Sequence, residues 1–373
     1  MSAILVTGGA GYVGSHACKA LAAAGYHPVV FDNLSAGHRW AVRWGPLEVG
    51  DLADTESLRR VIRRHRIEAI MHFAAASNVS ESMREPGYYY RNNVCGSLNL
   101  LTAMSDCGVS RLVFSSTCAS YGLPRAMPIS ESHPQWPITP YGDTKFAIER
   151  MLHWWDQVHG IRSFALRYFN AAGADLDGEI GEAHTPETHL IPIALEVAQR
   201  PRAVLDVYGD DYPTADGTAV RDYIHVSDLA DAHVAALGRL YDRAPSLAVN
   251  LGTGVGLSVR QVIDAIERTI GRSLPTRIGP RRAGDPPQLI ADPRLAFEVL
   301  NWTPHRSDID TIVGSAWAWA CSREDRQVAH HTPYPPHLKR PSSAKWRPND
   351  PSKVDPVSVT TPRLETPPSI DAS

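Results

Sequence analysis

Tyr141 and Lys145 are spaced so that both side chains can act on one substrate hydroxyl. They stand at i and i+4, one turn apart on the same face of a helix. A free phenol titrates at about pH 10, too high for a base at neutral pH, and a neighbouring ammonium favours the phenolate. Thr117 ends an upstream apolar run and can offer a hydroxyl to the same substrate oxygen. The pattern predicts acid–base chemistry at an alcohol, although a Tyr–Lys pair alone is also common on solvated helix surfaces.

A glycine-rich turn near the start of the chain predicts a dinucleotide site. Gly8, Gly11 and Gly14 follow the first apolar run and precede a helical stretch, with Tyr12 and Val13 in the same loop. Glycines in a strand–turn–helix context let the backbone turn tightly and approach a pyrophosphate, which then lies at the positive end of the helix. A glycine triplet alone is weak evidence, and its position in this context gives it weight.

Asp32 follows the glycine turn by eighteen residues, at the end of the second apolar run. A carboxylate there can accept both ribose hydroxyls of NAD and would repel the 2′-phosphate of NADP, so we predict NAD as cofactor. Asn33, next to it, is also predicted to bind the cofactor, and a helix or turn cap is the alternative for Asp32. Asp51 and the adjacent Leu52 follow a further strand end and are predicted near the adenine, where loop capping is a comparable explanation.

Short apolar runs alternate with helical stretches through the first 170 residues. We predict strands at residues 4–6, 28–31, 69–73, 112–115 and 163–167, and helices at 15–24, 55–65 and 93–107. Several runs are nearly continuous in apolar residues, as expected for strands that are covered on both faces. The alternation predicts an α/β fold with a Rossmann-type, doubly wound parallel sheet in residues 1–170.

The remainder of the chain has a different texture. Residues 171–321 mix loops rich in Gly, Pro and Asp with helices predicted at 190–199, 226–239 and 259–270. We predict a smaller, mixed α/β substrate-binding lobe, some elements of which rejoin the first domain. Residues 322–373 contain ten prolines among 52 residues and lose apolar periodicity. We predict a largely disordered tail, because such a segment buries too little surface to offset its ordering entropy.

Composition narrows the class of protein. The chain is 43% apolar and 21% charged with a formal charge of −3, which is typical of a globular protein and gives no reason to expect a nucleic-acid partner. It lacks eighteen consecutive apolar residues and a basic leader, so we expect no membrane span and a cytoplasmic protein. The five cysteines form no CxxC pair, and the sixteen histidines show no paired ligand motifs at zinc spacing. We therefore expect reduced thiols and no metal site.

These motifs together resemble the extended short-chain dehydrogenases/reductases, and among them the NAD-dependent epimerases of the UDP-glucose 4-epimerase type. The resemblance covers about residues 3–320 and omits the proline-rich tail. Eight segments carry it in the family's order, at residues 7–16, 32–34, 72–75, 141–145, 167–170, 216–226, 250–254 and 280–285. It implies interconversion of UDP-glucose and UDP-galactose by transient C4 oxidation with tightly bound NAD, in a homodimer.

The resemblance also implies individual roles. Tyr141 would be the acid/base at the sugar O4, with Lys145 tuning it and holding the nicotinamide ribose, and Thr117 would be the family's catalytic serine or threonine. The implied lining of the NAD cleft is Phe73, Ala74, Ala75, Asn92, Tyr168 and Phe169. The implied nucleotide-sugar contacts are Asn170, Leu190, Tyr208, Arg221, Arg282 and Asp285. Two arginines suit a diphosphate, and ion pairs with Asp222 or Asp285 are the alternative.

Two positions depart from some relatives. Ser77 stands where some epimerases have a lysine in the cofactor loop, which puts one pyrophosphate contact in doubt. Leu289 stands where some have a bulkier tyrosine at the sugar pocket wall, which predicts tolerance of UDP-N-acetylhexosamines.

Three other functions compete with hexose epimerisation. A UDP-pentose or UDP-uronate 4-epimerase would need only a different pocket around C5. A 4,6-dehydratase is disfavoured, since Cys118 and Ala119 follow Thr117 where such enzymes commonly have Asp-Glu. A non-catalytic NAD-binding regulator is disfavoured by the retained pair of Tyr141 and Lys145.

Overall fold

The computed structural model describes residues 1–200, 202–282 and 284–329, and the predicted tail from residue 330 onward lies outside them. The strands are β1 (Ala3–Thr7), β2 (His27–Asp32), β3 (Leu47–Val49), β4 (Ala69–His72), β5 (Arg111–Thr117), β6 (Arg162–Tyr168), β7 (Asn170–Ala172), β8 (Leu205–Tyr208), β9 (Val220–His225), β10 (Leu247–Leu251), β11 (Gly256–Ser258), β12 (Thr276–Gly279) and β13 (Gln288–Leu289). The α-helices are α1 (Tyr12–Ala23), α2 (Thr55–His65), α3 (Val79–Ser82), α4 (Pro86–Tyr89), α5 (Gly96–Cys107), α6 (Pro140–His159), α7 (Leu190–Gln199), α8 (Val226–Tyr241), α9 (Val259–Ile270), α10 (Arg294–Leu300) and α11 (Ile309–Ala329).

Seven strands form one parallel sheet in the order β10-β6-β5-β4-β1-β2-β3. The order runs outward in both directions from β1, so right-handed crossovers place helices on both faces of the sheet. In the register, Thr7 pairs with both Phe31 and His72, and Thr117 pairs with Tyr168. The Rossmann-type parallel sheet that the sequence predicts is confirmed.

Two hydrophobic cores cover the two faces of this sheet. Ile4 and Val6 of β1 face the core beneath α1 and α8, while Leu5 faces the core beneath α2 and α5. Side chains alternate between faces along a strand, so a central strand that is covered on both sides is apolar throughout. This burial explains the continuous apolar runs in the sequence.

The rest of the described chain builds a smaller lobe and then returns to the large sheet. β9 pairs with β7, β11 and β13, and β8 pairs with β12. A third core lies among α7, α9 and α11. In between, α8 packs against α1, and β10 pairs with β6 as an edge strand of the large sheet. The chain therefore crosses between the two lobes more than once, and residues 1–329 form one compact unit.

Helix α11 continues to Ala329, past the predicted start of the tail at residue 322. That boundary was wrong for residues 322–329. The segment after Cys321 contains neither proline nor glycine before Pro333, so nothing in its sequence stops a helix there. Among the described helices, none combines the length and the apolar character that a bilayer crossing needs.

Candidate active site

The carboxyl ends of five neighbouring strands bring the predicted site residues to one edge of the sheet. Gly8 follows β1, Asp32 ends β2, Phe73 follows β4, Thr117 ends β5 and Tyr168 ends β6. Ligands of open, doubly wound sheets bind at this edge. Residues that are far apart in the sequence therefore meet here because the strands are parallel.

In the glycine turn between β1 and α1, two positions have no room for a side chain, whereas a third has free space beside it. A Cβ on Gly8 would lie 2.6 Å from the Ala74 nitrogen, and one on Gly14 would lie 2.3 Å from the Gly8 carbonyl oxygen. A Cβ on Gly11 would meet only that carbonyl oxygen, at 3.2 Å. Beside Gly11, the first-turn N–H groups of Tyr12 and Val13 have no intrahelical acceptor. This surface fits a pyrophosphate.

Asp32 is positioned to accept ribose hydroxyls. One carboxylate oxygen accepts a hydrogen bond from the Ala10 N–H at 3.0 Å, and the other accepts one from the Leu34 N–H at 2.8 Å. Each oxygen keeps acceptor capacity for one further donor. Burial raises the pKa of Asp32, and the two backbone N–H groups oppose that rise. The free acceptor sites of the Asp32 carboxylate fit the ribose hydroxyls of NAD.

Asp51 takes part in the local bonds that the capping alternative predicts. It accepts hydrogen bonds from the Ala53 N–H and from the Asn33 side chain, both at 2.8 Å. The Asp51 side chain remains exposed at the end of β3, and Leu52 beside it is buried. Capping and a contact with the adenosine remain compatible, because a carboxylate offers about four acceptor sites.

Helix α6 presents Tyr141 and Lys145 toward the ends of β5 and β6. Thr139 caps the helix by accepting from the Gly142 N–H, and Pro140 fills the first helical position. Lys145 is buried, and its Nζ donates to the Ser115 carbonyl oxygen at 2.8 Å. The same nitrogen lies 6.0 Å from the centre of the Tyr141 ring. The amine is thus held beside the phenol by the neighbouring strand.

The protein's own groups do not by themselves produce a phenolate. Burial raises the pKa of Tyr141, and a hydrogen bond with Thr117 lowers it only in part. Burial also lowers the pKa of Lys145 to about 7. Removing both groups from water disfavours both of their charged forms. The sequence-based expectation combined the lysine with the positive nicotinamide, and with both groups in place it stays a prediction.

Ser115, which sequence reasoning missed, lies two residues before Thr117 on β5 and contacts Tyr168 on β6. Thr117 accepts from the Ala119 N–H at 3.1 Å as the chain leaves β5. The Ser115 hydroxyl contacts the Tyr168 hydroxyl at 2.6 Å, and its carbonyl oxygen binds Lys145. The available signal was its place two residues before Thr117, since such residues share a strand face.

Asn93 is a second residue that the sequence analysis missed. Its buried amide accepts from the Ala76 N–H at 2.8 Å and donates to the Ala76 carbonyl at 3.0 Å. It also donates to the Thr144 hydroxyl at 3.1 Å, while Asn92 donates to Asn93. Asn93 thereby fastens the loop after β4 to α6. Burial of its amide was not evident from the sequence, where Asn92 was the candidate.

A buried ion pair connects α6 to β6 near the carboxyl ends of β5 and β6. Glu149 and Arg167 lie 2.5 Å apart, with side chains 8% and 7% exposed. Ser116 donates to Glu149, and Arg167 donates to the Tyr121 hydroxyl at 2.9 Å. That hydroxyl in turn donates to Asn250 at 2.7 Å. Such a network orients strand ends because every buried charge in it is paired.

The residues implied in nucleotide-sugar binding lie on the smaller lobe. Arg221 on β9 forms an ion pair with Asp285, as the alternative reading of this arginine predicted. The guanidinium of Arg282 stacks over the Tyr208 ring at 4.2 Å. Asp222 does not pair with Arg221 in this way and instead accepts bonds from the Thr253 and Gly254 backbone.

Leu289 lies where the smaller lobe meets the carboxyl ends of β5 and β6. It pairs with Arg221 in the sheet and packs against a buried cluster that includes Cys118 and Phe169. Cys118 directly follows Thr117, so the Leu289 side chain lies close to the carboxyl end of β5. The other implied contacts are Asn170 at the start of β7, Leu190 at the start of α7 and Ser77 in the loop before α3.

Comparison with known proteins gives consistent matches. Residues 4–252 match the NAD dependent epimerase/dehydratase family. A UDP-glucose 4-epimerase from Rhizobium leguminosarum bv. trifolii is 52% identical over 316 residues, which are 85% of this chain and 96% of that protein. The crystal structure of UDP-glucose 4-epimerase from Brucella ovis in complex with NAD is 52% identical with a TM-score of 0.83, covering 85% of this chain and 98% of that one. The enzyme from Bifidobacterium longum, in complex with NAD⁺ and UDP, is 35% identical with a TM-score of 0.81, covering 87% and 99%.

Proposed function

This chain belongs to the NAD dependent epimerase/dehydratase family, and we propose that it is a UDP-glucose 4-epimerase that interconverts UDP-glucose and UDP-galactose. One observation carries the proposal. The Tyr141–Lys145 helical turn and Thr117 converge at the sheet edge that also holds the glycine turn and Asp32. A dehydrogenase-type site on this scaffold, in a chain about half identical to epimerases, acts on a nucleotide sugar.

The cofactor is NAD, and this chain's residues fit it. The open face at Gly11 and the first turn of α1 would hold the pyrophosphate, and Asp32 would accept the ribose hydroxyls. Phe73, Ala74 and Ala75 would line the cleft, with Asn92, Tyr168 and Phe169 toward the nicotinamide. When bound, NAD supplies a hydride acceptor and donor for C4 and a positive charge that favours the Tyr141 phenolate.

Tyr141 handles the proton in both directions. It takes the O4 proton as C4 is oxidised and returns a proton to the same oxygen as C4 of the 4-ketose is reduced. Thr117 would hold that oxygen by a hydrogen bond, and Lys145 would steady the phenolate by its charge. The substrate leaves with the same oxidation state and proton count, so the reaction needs no external reductant.

The nucleotide would hold the substrate in the site while the hexose ring rotates. Arg221 and Arg282 would bind the diphosphate, with Asn170, Leu190, Tyr208 and Asp285 around the nucleotide and Ser77 near the cofactor-side phosphate. Charge-assisted bonds to a diphosphate are strong, whereas a neutral sugar ring is held weakly. Binding energy from the nucleotide can therefore position C4 while the ring presents either face.

Leu289 would stand at the wall of the sugar pocket, where the size of the side chain limits the substituents that a sugar can carry. A leucine side chain is smaller than the tyrosine found in some relatives, and it packs beside Cys118 near the catalytic edge. We include UDP-N-acetylhexosamines in the substrate range on this ground.

Two features support further parts of the proposal, a homodimer and a cytoplasmic location. Leu98 on α5 and Trp154 and Val158 on α6 are 40%, 59% and 69% exposed, and a second copy packed on these helices would cover them. Cys18 and Cys118 are buried without a disulfide, as in proteins of reducing compartments.

Product analysis tests the activity. Purified protein incubated with UDP-galactose, without added NAD or NADH, should give UDP-glucose of unchanged mass, followed by NMR. Parallel incubations with a UDP-pentose and a UDP-uronate address the competing epimerases. Turnover of those sugars without turnover of UDP-galactose would replace the proposal, and no turnover of any of them would refute it.

A further inference from the structure

A second cluster of chemically reactive side chains lies outside the catalytic edge, in the loop before α7. Glu182, His184, Glu187 and His189 each offer one ligand atom, and these atoms all lie within 4.8 Å of one another. Carboxylate oxygens and imidazole nitrogens are ligands of first-row divalent metals. We propose that these four residues form a binding site for one divalent transition-metal ion, for which Zn²⁺ is the best fit.

The separations of the ligand atoms fit a zinc coordination sphere. His184 Nδ1 lies 3.0 Å from the Glu182 carboxylate, and His189 Nδ1 lies 2.7 Å from that carboxylate and 2.9 Å from Glu187. His184 Nδ1 and Glu187 are 3.7 Å apart. In a tetrahedral site with bonds of about 2.0–2.2 Å, neighbouring ligand atoms are about 3.3–3.6 Å apart. The observed distances bracket this edge, so small side-chain rotations suffice.

Burial of the two carboxylates favours a cation at this place. The side chains of Glu182 and Glu187 are 8% and 7% exposed, whereas those of His184 and His189 are 31% and 52% exposed. Two adjacent carboxylates withdrawn from water need compensating positive charge, which the two paired imidazoles supply when they are protonated and a metal ion would supply when they are neutral. A dication provides it at one point, and the partly exposed imidazoles leave a path by which the ion enters.

The backbone of the loop is held in place around the cluster. The Glu182 carbonyl accepts from the Trp319 indole at 2.9 Å, and the Ala183 carbonyl contacts His38 Nε2 at 2.8 Å. The His184 ring packs edge-on against Tyr12 at 6.1 Å. Such outer contacts fix ligand geometry in metal sites. A bound ion would tie the loop that leads into α7 to the first turn of α1.

This inference is contrary to our sequence-based expectation that the chain has no metal site, which stays a prediction until zinc uptake is measured. The search for paired histidine and cysteine motifs overlooked a mixed pattern, a Glu-x-His unit at 182–184 repeated at 187–189. Each unit supplies one carboxylate and one imidazole, and the loop folds the two units together. None of the four proposed ligands is a residue that we assign to NAD or to the nucleotide sugar, so zinc uptake can be tested without a turnover measurement.

The experiment measures zinc uptake by the full chain. Protein stripped with a chelator is titrated with ZnCl₂ by calorimetry, and zinc retained after gel filtration is counted by mass spectrometry. One zinc ion per chain and a zinc-dependent rise in melting temperature are expected. Glu187→Gln and His189→Ala should each weaken binding roughly tenfold or more, because loss of even an outer-shell partner costs 10–100-fold. Circular dichroism before titration verifies that each variant is folded.

Two matched controls separate a site from general charge. Glu179→Gln removes the same charge from the same loop, but Glu179 pairs with Lys19 at 3.0 Å and Arg43 at 2.8 Å. His65→Ala removes an imidazole that pairs with Glu48 at 2.6 Å. Both controls should retain zinc like the wild type. The proposal is overturned if the wild type retains none, or if the two ligand variants retain as much as the controls.

Discussion

The Nζ of Lys145 lies 6.0 Å from the centre of the Tyr141 ring, while its hydrogen bond goes to the main chain of β5. The amine is therefore fixed near the phenol by the sheet, and we expect it to act on the phenol through its charge. Because burial opposes the charged form of both groups, the phenolate is favoured only when additional positive charge is close. This coupling makes the acid–base group depend on the cofactor.

Replacing Tyr141 by phenylalanine should abolish most turnover and spare binding. The variant keeps the aromatic ring and removes only the proton carrier. We expect kcat to fall by roughly 10²–10⁴-fold, the range of general acid–base catalysis. NAD and UDP affinities, measured by calorimetry, should stay within a few-fold of wild type. Tyr88→Phe, on an exposed tyrosine, is the control and should keep full turnover. Equal turnover by Tyr141→Phe would remove the assigned role.

Replacing Lys145 by methionine should change the pH profile as well as the rate. Without the amine, the phenolate loses a stabilising charge, so the rising limb of kcat/KM should move to higher pH by about one unit or more. Lys19→Met, which removes a lysine paired with Asp175 and Asp177, should leave the profile in place. A lower profile with an unmoved limb would mean that Lys145 acts only in holding the cofactor.

The fold was predictable where local signals and burial agree. The five predicted strands of the large sheet lie within or overlap β1, β2, β4, β5 and β6, because strands buried on both faces are apolar throughout. The predicted α9 has its observed ends, marked by the Ser258 capping box and by Gly271 after the last turn. β10 was not predicted. Its five residues gain their strand conformation from pairing with β6, a contact that no local pattern encodes.

The sequence identified several residues of the candidate site, but it did not reveal their contacts or the directions of their pKa shifts. Motif spacing identified Tyr141, Lys145 and Asp32, since their chemistry depends on residue type and local geometry. Ser115 and Asn93 act through a carbonyl oxygen and through contacts with distant loops, which residue type does not reveal. The pKa directions of Tyr141 and Lys145 depend on burial, so they too required the structure.

Three glycine substitutions should separate packing from cofactor binding. Gly14→Ala places a methyl group 2.3 Å from a carbonyl oxygen and should lower the free energy of unfolding by about 1–3 kcal/mol. Gly11→Ala meets only one atom, at 3.2 Å, so the fold should survive while NAD binding weakens about tenfold or more. Gly238→Ala, in open space on α8, should stabilise the protein by about 0.5–1 kcal/mol. Urea unfolding and NAD titration measure both effects. Normal NAD binding by Gly11→Ala would contradict the pyrophosphate assignment.

Acid sensitivity should arise in part from His233. It is buried beneath Phe73, donates from Nδ1 to the Leu229 carbonyl at 2.7 Å, and burial lowers its pKa to about 4. The unfolded value is about 6.5, so the unfolded state binds the proton first as pH falls. The contribution of His233 to stability is therefore complete above about pH 6.5 and is lost toward pH 4, a loss of about 2 kcal/mol by pH 5.

His233→Gln should remove that part of the pH dependence. Urea unfolding at about pH 7.5 and about pH 5 should show a difference in unfolding free energy that is smaller than the wild-type difference by about 2 kcal/mol. His153→Gln, on an exposed residue, should leave the difference unchanged. If His233→Gln also leaves it unchanged, the imidazole is protonated in the folded state and the direction of its pKa shift is wrong.

Leu289 should determine whether N-acetylated sugars enter the pocket. Its side chain packs against the buried cluster that includes Cys118 and Phe169, so in the proposed complex a larger group there would occupy space next to the hexose. Leu289→Tyr should lower kcat/KM for UDP-N-acetylglucosamine at least about tenfold, since a bulky wall excludes the acetamido group at a cost of 1–3 kcal/mol or more. Turnover of UDP-glucose should stay within a few-fold of wild type.

Leu289→Met, which conserves volume, is the matched control and should keep both activities. The two substrates are compared in the same preparation, so loss of NAD or of folding lowers both rates together and is distinguished from a pocket effect. Absence of any wild-type turnover of UDP-N-acetylglucosamine would show that other residues already close the pocket. In that case the smaller side chain at position 289 has no consequence for substrate range, and specificity must be set around Asn170 and Leu190.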